Sequence, residues 1–490
     1  MKNTFLNGRI IVDGYLYEDV LFDVAGNNLR VCFDGKGGVS KYLSVLTGKN
    51  YTSRSVLTLY KNRERVGAYT KKNVRMAGRT QEITVFGEGF EMEIKQFITK
   101  EDRAIFIEMN FSVDEPTEFT LLYGIGSAVG IPTMSFGQTG FRFVRLDFGG
   151  EVELKSIVAE SYILRKPIVY KYDGQDSVIR KIYQTAKRTV DLCAPKGYVW
   201  DGIKRDRLVW IGDIHPEMLA LTTLYGRMKE IEQSLDFVKN QTPLPGWMNG
   251  FPMYSMWWII IVADYYKRAN AYDFTERQIE YMQGLILQMN SCVKDNGQLN
   301  YPFYFVDWPT HNQPDEILGA RAINIIAIKK AIDLLTEFGQ STHLATKLLD
   351  RLQKVPILPT QSKQVTALKY FALGYLSEED KQNLLKGGAK GLSTFMSYYI
   401  LKAIASFDKE QAVKIMKEYY GAMLDKGATT FWEDFDVEWA NKSCRIDEFP
   451  KDNQKDIHGD FGDYCYKGFR HSLCHGWSAG VIAFIKEECL

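Results

Sequence analysis

The chain has 490 residues, 45% of them hydrophobic and 25% charged, a globular composition whose length calls for two or three domains. Lys and Arg total 61 against 60 for Asp and Glu, so no net field draws the protein to nucleic acid or to an anionic membrane. A neutral substrate fits better. Aromatic residues make up 13%, with nine Trp and 28 Tyr, which suits either large cores or rings lining a groove.

The N-terminal stretch MKNTFLNGRIIVDGYLYEDV lacks the apolar run of a secretory signal, so a cytoplasmic protein is expected, or a secreted or periplasmic one if a leader has been removed. Short runs rich in Val, Ile, Phe, Tyr and Thr follow, among them RIIVDGYLY, NLRVCFDG, SVLTLYKN, QEITVFGEGFEMEIKQFI, EFTLLYGIG, GFRFVRLDFG and SYILRKPIVYKY. Gly, Asn and Asp separate them with no helical pattern between, which predicts an antiparallel β-sandwich over residues 1–174.

The texture changes at 172–176. Helical spacing of apolar residues predicts helices over 177–194, 215–240, 253–269, 274–293, 320–339, 342–355, 377–387, 392–407, 409–424 and 474–488. No sequence period repeats, so a solenoid is not expected; paired helices closed into an (α/α)6 toroid over 175–490 are. The expected fold class is therefore α+β multidomain. The run MWWIIIVA is too short to span a bilayer, and a membrane role is not expected. Seven scattered Cys form no CxxC pair, and there is no HExxH, so neither metal nor cofactor is expected. A homo-oligomer stays open.

Five constellations in the helical part carry chemistry. YVWDGIKRDRLVWIGDIHPE holds Asp201, Arg205, Asp206, Asp213 and Glu217 with Trp210 and His215. Carboxylates beside Arg and Trp suit sugar hydrolysis, where one acid protonates a leaving oxygen, others grip hydroxyls, and a ring packs on indole. The same string also reads as a charged loop whose Asp213 caps the next helix. The others are KGATTFWEDFDVEW with Trp432 and Glu433, RHSLCHGWSAG with His471, His475 and Trp477, YFVDWPTHNQPDE with Asp307 and Trp308, and TPLPGWMNGFPMYSMWW with Trp247 and Trp257.

Together these strings resemble the six-hairpin glycosidases, most closely the α-L-rhamnosidases of glycoside hydrolase family 78. The family's D-x-x-x-R-D-E-x-x-x-W-x-G-D motif is matched by Asp201, Arg205, Asp206, Trp210, Gly212 and Asp213. Its A-T-T-x-W-E segment is matched by Ala428, Thr429, Thr430, Trp432 and Glu433, its S-L-x-H segment by Ser472, Leu473 and His475, and its D-W pair by Asp307 and Trp308. The resemblance implies an inverting glycoside hydrolase releasing a terminal sugar, with α-L-rhamnose the first expectation. It implies that Glu433 is the general base, that Asp201 and Asp213 hold hydroxyls, and that Trp210, Trp308 and His475 line the pocket.

One departure stands out. The family's acid is the Glu of R-D-E, and this chain is one residue shorter there, reading Arg205-Asp206-Arg207. Counted back from Trp210, Asp206 takes the acid's place, with Glu217 in reserve one helical turn past Asp213. Arg205, Trp247, Trp257, Trp432 and Trp477 complete the expected sugar-binding set. The rival readings are a polysaccharide lyase built on Tyr464, His458 and Arg470, a hydrolase acting on another hexose or a uronate-containing glycan, or a sugar-binding protein without catalysis.

Overall fold

The structure is a computed structural model. It describes residues 166–490 apart from 195–196, 205–206, 467–469 and 490, together with strands lying between 3 and 126. The chain divides into two compact units, Met1–Glu160 and Ser161–Leu490.

The first unit holds three antiparallel sheets among the described residues. One has six strands in the order Asn3–Leu6, Arg9–Val12, Lys71–Ala77, Thr80–Gly87, Phe90–Phe97 and Phe106–Val113. Phe119–Gly126, Arg54–Lys61 and Glu64–Arg65 form the second, and Leu21–Ala25, Leu29–Asp34 and Val39–Ser44 the third. Phe90 and Met92 are buried while Glu93 and Lys95 are exposed, the alternation of a sheet with one covered face. The stacking that a sandwich requires, and the strand expected at 140–149, lie outside the described residues.

The boundary at 160/161 falls earlier than the expected 174/175. Residues 166–172 form no strand, contrary to expectation, because they already pack on the helical unit. Val169 donates its N–H to the carbonyl of Leu224 at 2.7 Å, and Tyr172 is buried in the helical core.

The second unit is helical. The chain alternates between amphipathic helices and helices buried on nearly every side. The first kind comprises α1 (Ser177–Cys193), α3 (Lys229–Asn240), α6 (Ile279–Ser291), α8 (His343–Gln353), α10 (Glu378–Leu385) and α12 (Lys409–Asp425). On α3 only Ile231, Ser234, Leu235 and Val238 are buried, a single stripe at helical spacing. The second kind comprises α2 (Ile214–Tyr225), α4 (Pro252–Ala269), α7 (Glu316–Glu337), α9 (Lys363–Leu373), α11 (Ser397–Ala405) and α14 (Val481–Glu488). Every residue of α2 is buried. An apolar surface all round demands neighbours on all sides, and these helices find them in each other. In contact order they run α2, α4, α7, α9, α11, α14 and back to α2, a closed inner ring with the amphipathic helices outside.

Two short helices, α5 (Tyr272–Glu276) and α13 (Ile457–Asp460), sit in connections. Three details depart from the sequence reading. The helix expected over 215–240 breaks at Gly226, whose φ of 71° is the left-handed turn that frees α3 to fold back on the outside. The segment 474–488 begins as a 3-10 turn, Gly476–Gly480. Helix α9 was not expected; its stretch KQVTALKYFAL mixes polar and apolar residues because Lys363 and Gln364 turn their polar ends to carbonyls of 388–391 while their stems are buried.

Asp176 starts the unit. Its carboxylate accepts the N–H groups of Val178 at 2.9 Å and Ile179 at 3.1 Å, and its other oxygen pairs with Lys417 of α12 at 2.7 Å. Replacing it with Ala should cost about 1 kcal/mol, seen as a lower urea midpoint at unchanged m-value, while Asn should retain most of the cap.

Candidate active site

The links that enter the inner helices bond to one another, so the N-terminal ends of the ring gather on one side. Two stretches of the long link between α12 and α14 are tied to each other by a ladder. Glu433 N–H donates to Ser472 O at 2.9 Å, His475 N–H to Phe431 O at 3.1 Å, and Ser472 N–H to the Glu433 carboxylate at 3.0 Å. The link between α1 and α2 joins through Gly476 N–H, which donates to Asp201 O at 2.7 Å. Residues far apart in sequence thereby become neighbours.

His475 is the hub. Its Nε2 lies 3.9 Å from Asp201 Oδ2, 3.8 Å from Asp213 Oδ2 and 3.8 Å from Glu433 Oε1. These spans exceed a direct hydrogen bond and match what one bridging oxygen covers. The Glu433 carboxylate thus stands within two such spans of both aspartates. Asp201 also accepts the N–H of Leu208 at 2.9 Å, and Asp213 precedes α2 and takes the Tyr254 hydroxyl at 3.5 Å. All four side chains are nearly enclosed. Among the described residues no group of His, Cys, Asp or Glu is arranged to hold a metal.

Behind this hub lies Glu217, wholly buried on α2, with neither carboxyl oxygen in a hydrogen bond. Burial, with Asp213 and Asp201 nearby, drives its pKa far above the carboxylate range. A Cβ on Gly476 would fall 1.5 Å from Glu217 Oε1, so only glycine lets the 476 backbone pass over this carboxyl. Burial likewise raises Asp434 strongly. It pushes Asp307 up to about 6, although Asp307 accepts from Trp308 N–H at 2.8 Å and from the Ser393 hydroxyl.

An aromatic band flanks the cluster. Trp210 stands edge-on to Phe251 and Tyr254, Phe251 meets Phe303 and Phe305, and Phe305 meets Trp308, which touches Tyr466. Trp210, Phe251, Tyr254, Trp308 and Tyr466 are half-buried and Phe303 is exposed. Sequence reasoning singled out the two Trp and missed the Phe and Tyr members. The signal for one was Gly212: a Cβ there would lie 2.3 Å from the Tyr254 ring.

The structure therefore gathers Asp201, Asp213, Glu433 and His475, with Trp477 beside His475 at a ring distance of 4.1 Å and donating its indole N–H to Glu433 O at 2.9 Å. Asp307, Trp308 and Trp210 stand around them. Three expected sugar contacts lie elsewhere. Trp257 is buried inside the ring against His215, Phe395 and Tyr399, because α4 is apolar on every face. Trp432 is fully buried against Phe435 and Phe461. Trp247 lines a separate cavity and packs on Tyr301. Arg205 and Asp206 lie outside the described residues. Of the residues considered for a lyase, Tyr464 donates to Asp436 at 3.0 Å and burial raises its pKa, opposite to what a base needs; His458 meets Ile446 O, and Arg470 stacks on Tyr466.

Solved structures share this architecture. A rhamnosidase from Klebsiella oxytoca with rhamnose bound superposes with a TM-score of 0.54 at 15% identity, over 96% of this chain and 89% of its own. The chain has the rhamnosidase fold. The GH78 family rhamnosidase of Bacillus sp. GL1 superposes with a TM-score of 0.55 at 16% identity, over 83% of this chain and 46% of its own. The α-L-rhamnosidase from Dictyoglumus thermophilum gives 0.51 at 12% identity, over 96% of this chain and 51% of its own. This chain spans about half the length of those last two. No protein-family model matches the chain, and no curated protein matches it in sequence. At such identities the rhamnosidase fold is what is held in common, and function rests on the residues.

The raised carboxyls set a pH dependence. Asp307 binds its proton more tightly folded than unfolded, so its contribution is complete in acid and is lost as pH climbs towards about 6. The loss is about 3 kcal/mol. Thermal midpoints measured from about pH 4 to pH 7 should therefore decline less in Asp307→Asn than in the parent. Glu217 follows the same sign at higher pH, so Glu217→Gln should gain stability over the parent in alkaline buffer.

Proposed function

We propose that the protein is an inverting glycoside hydrolase releasing a terminal sugar, with α-L-rhamnose the first candidate. The observation that carries this is the meeting of Asp201, Asp213 and Glu433 about His475, beside half-buried aromatic rings. The rhamnosidase fold supports the sugar class, since one neighbour is described with rhamnose bound.

Glu433 is cast as the general base. Its Oε2 accepts Ser472 N–H and its Oε1 lies 3.8 Å from His475 Nε2, which fixes the direction of a carboxylate able to take a proton from a water. Asp201 and Asp213 accept sugar hydroxyls, each pinned by a second contact that fixes its direction. Asp206 is cast as the acid that protonates the leaving oxygen. Glu217 is less suited, because it is sealed behind Gly476 and reaches Asp201 and Asp213 before any sugar. Inversion requires acid and base about 6.5–9.5 Å apart, leaving room for the water on the far face of the ring.

A panel of aryl glycosides tests this, starting with the α-L-rhamnoside, with NMR of the anomer first released. The inverted anomer is expected; a retained one rules out the mechanism. Glu433→Gln should lower kcat by about 10²–10⁴, as should Asp206→Asn. Glu217→Gln should change kcat much less, and equal losses at 206 and 217 would undo the assignment of the acid.

A further inference from the structure

At the same end of the ring, where α3 runs into α4, a cavity of about 330 Å³ opens to solvent. Phe237, Gln241, Thr242, Trp247 and Asn249 line it, and none of its lining side chains is ionisable. A cleft of this size with aromatic walls and a few amides and hydroxyls has the chemistry of a small-ligand site. Its lining offers no cationic side chain to a uronate or phosphate, which favours a neutral occupant. Phe237 is 41% exposed and stands edge-on to Tyr198, itself 39% exposed, at 5.4 Å. Large rings left open to water beside side-chain amides suit the apolar face and hydroxyl rim of a pyranose.

The cavity shares a wall with the carboxylate cluster. Asn249 accepts Ile211 N–H at 2.9 Å and donates to Val209 O at 3.2 Å, so it grips the backbone on both sides of Trp210. On the other flank, Tyr198 leads within three residues to Asp201.

We propose that the cavity is a second sugar subsite, taking a neutral pyranose of the substrate beyond the bond that is cut. The proposal rests on the hydrolase assignment above. It makes the substrate an oligosaccharide or branched glycan of neutral sugars, with Phe237 and Gln241 selecting for that second unit.

The test uses the full chain carrying Glu433→Gln, so that binding is read without turnover. Free rhamnose and a neutral rhamnosyl disaccharide are each titrated by calorimetry. Phe237→Ala and Gln241→Ala, both at the cavity rim and away from the carboxylates, should weaken the disaccharide about tenfold and leave rhamnose unchanged. In the active enzyme the same variants should raise KM for the disaccharide at unchanged kcat, with the aryl rhamnoside unaffected. Unchanged disaccharide affinity, no disaccharide binding in the parent, or equal weakening of both sugars overturns the subsite. The two assignments fail separately: a protein that cleaves no glycoside yet loses disaccharide affinity in these variants keeps the subsite and loses the hydrolase.

Discussion

A short ladder of hydrogen bonds between 431–434 and 471–475 is the contact on which this end of the molecule depends. It folds the long link between α12 and α14 back on itself, and Gly476 then hands the connection to Asp201 in the link between α1 and α2. Without it, Glu433 and Asp201 would belong to opposite ends of the helical unit's sequence and to unrelated loops. Asp434 N–H adds a bond to His471 Nε2 at 3.1 Å, and Thr430 adds its hydroxyl to Leu473 O at 2.6 Å. Each of these groups is buried, where an unpaired donor costs about 1–3 kcal/mol, so the ladder has few alternatives.

The ring supplies the frame that makes this possible. Six helices buried along most of their length need neighbours on both flanks, and a closed circle supplies them. Its interior is filled by rings in sequence: Trp477 on Phe395, Phe395 on Trp257, Trp257 on Tyr399, and Tyr399 on His215. The polar links are thereby confined to the ends. Those preceding the inner helices place helix N-termini, with their positive ends, around a group of acids.

That group is electrostatically crowded. Asp201, Asp213 and Glu433 share one imidazole, while Glu217 and Asp434 are buried nearby with pKa values pushed upward. Desolvation pushes Glu217 and Asp434 strongly upward and Asp307 to about 6, and Glu217 has no hydrogen-bond donor to offset the cost of charge. Acid and base chemistry both need such a spread of proton affinities within one small region.

Much of this was legible in the chain. Helical spacing located the outer and inner helices apart from α9, and the resemblance of the strings around Asp201, Asp213, Glu433 and His475 to the six-hairpin glycosidases grouped those four residues, whereas each string alone read equally as a cap or a core contact. The Trp residues show the limit. Trp210 and Trp308 face the cluster, whereas Trp257, Trp432 and Trp247 have gone to the ring interior, the core and a second cavity. Local sequence determines which residues are chemically able and which segments are helical, since both depend on neighbours a few positions away. Which side of a helix or link faces the cluster, and which carboxyl keeps its proton, was decided by the closing of the ring and the burial it imposes on residues brought together from distant segments.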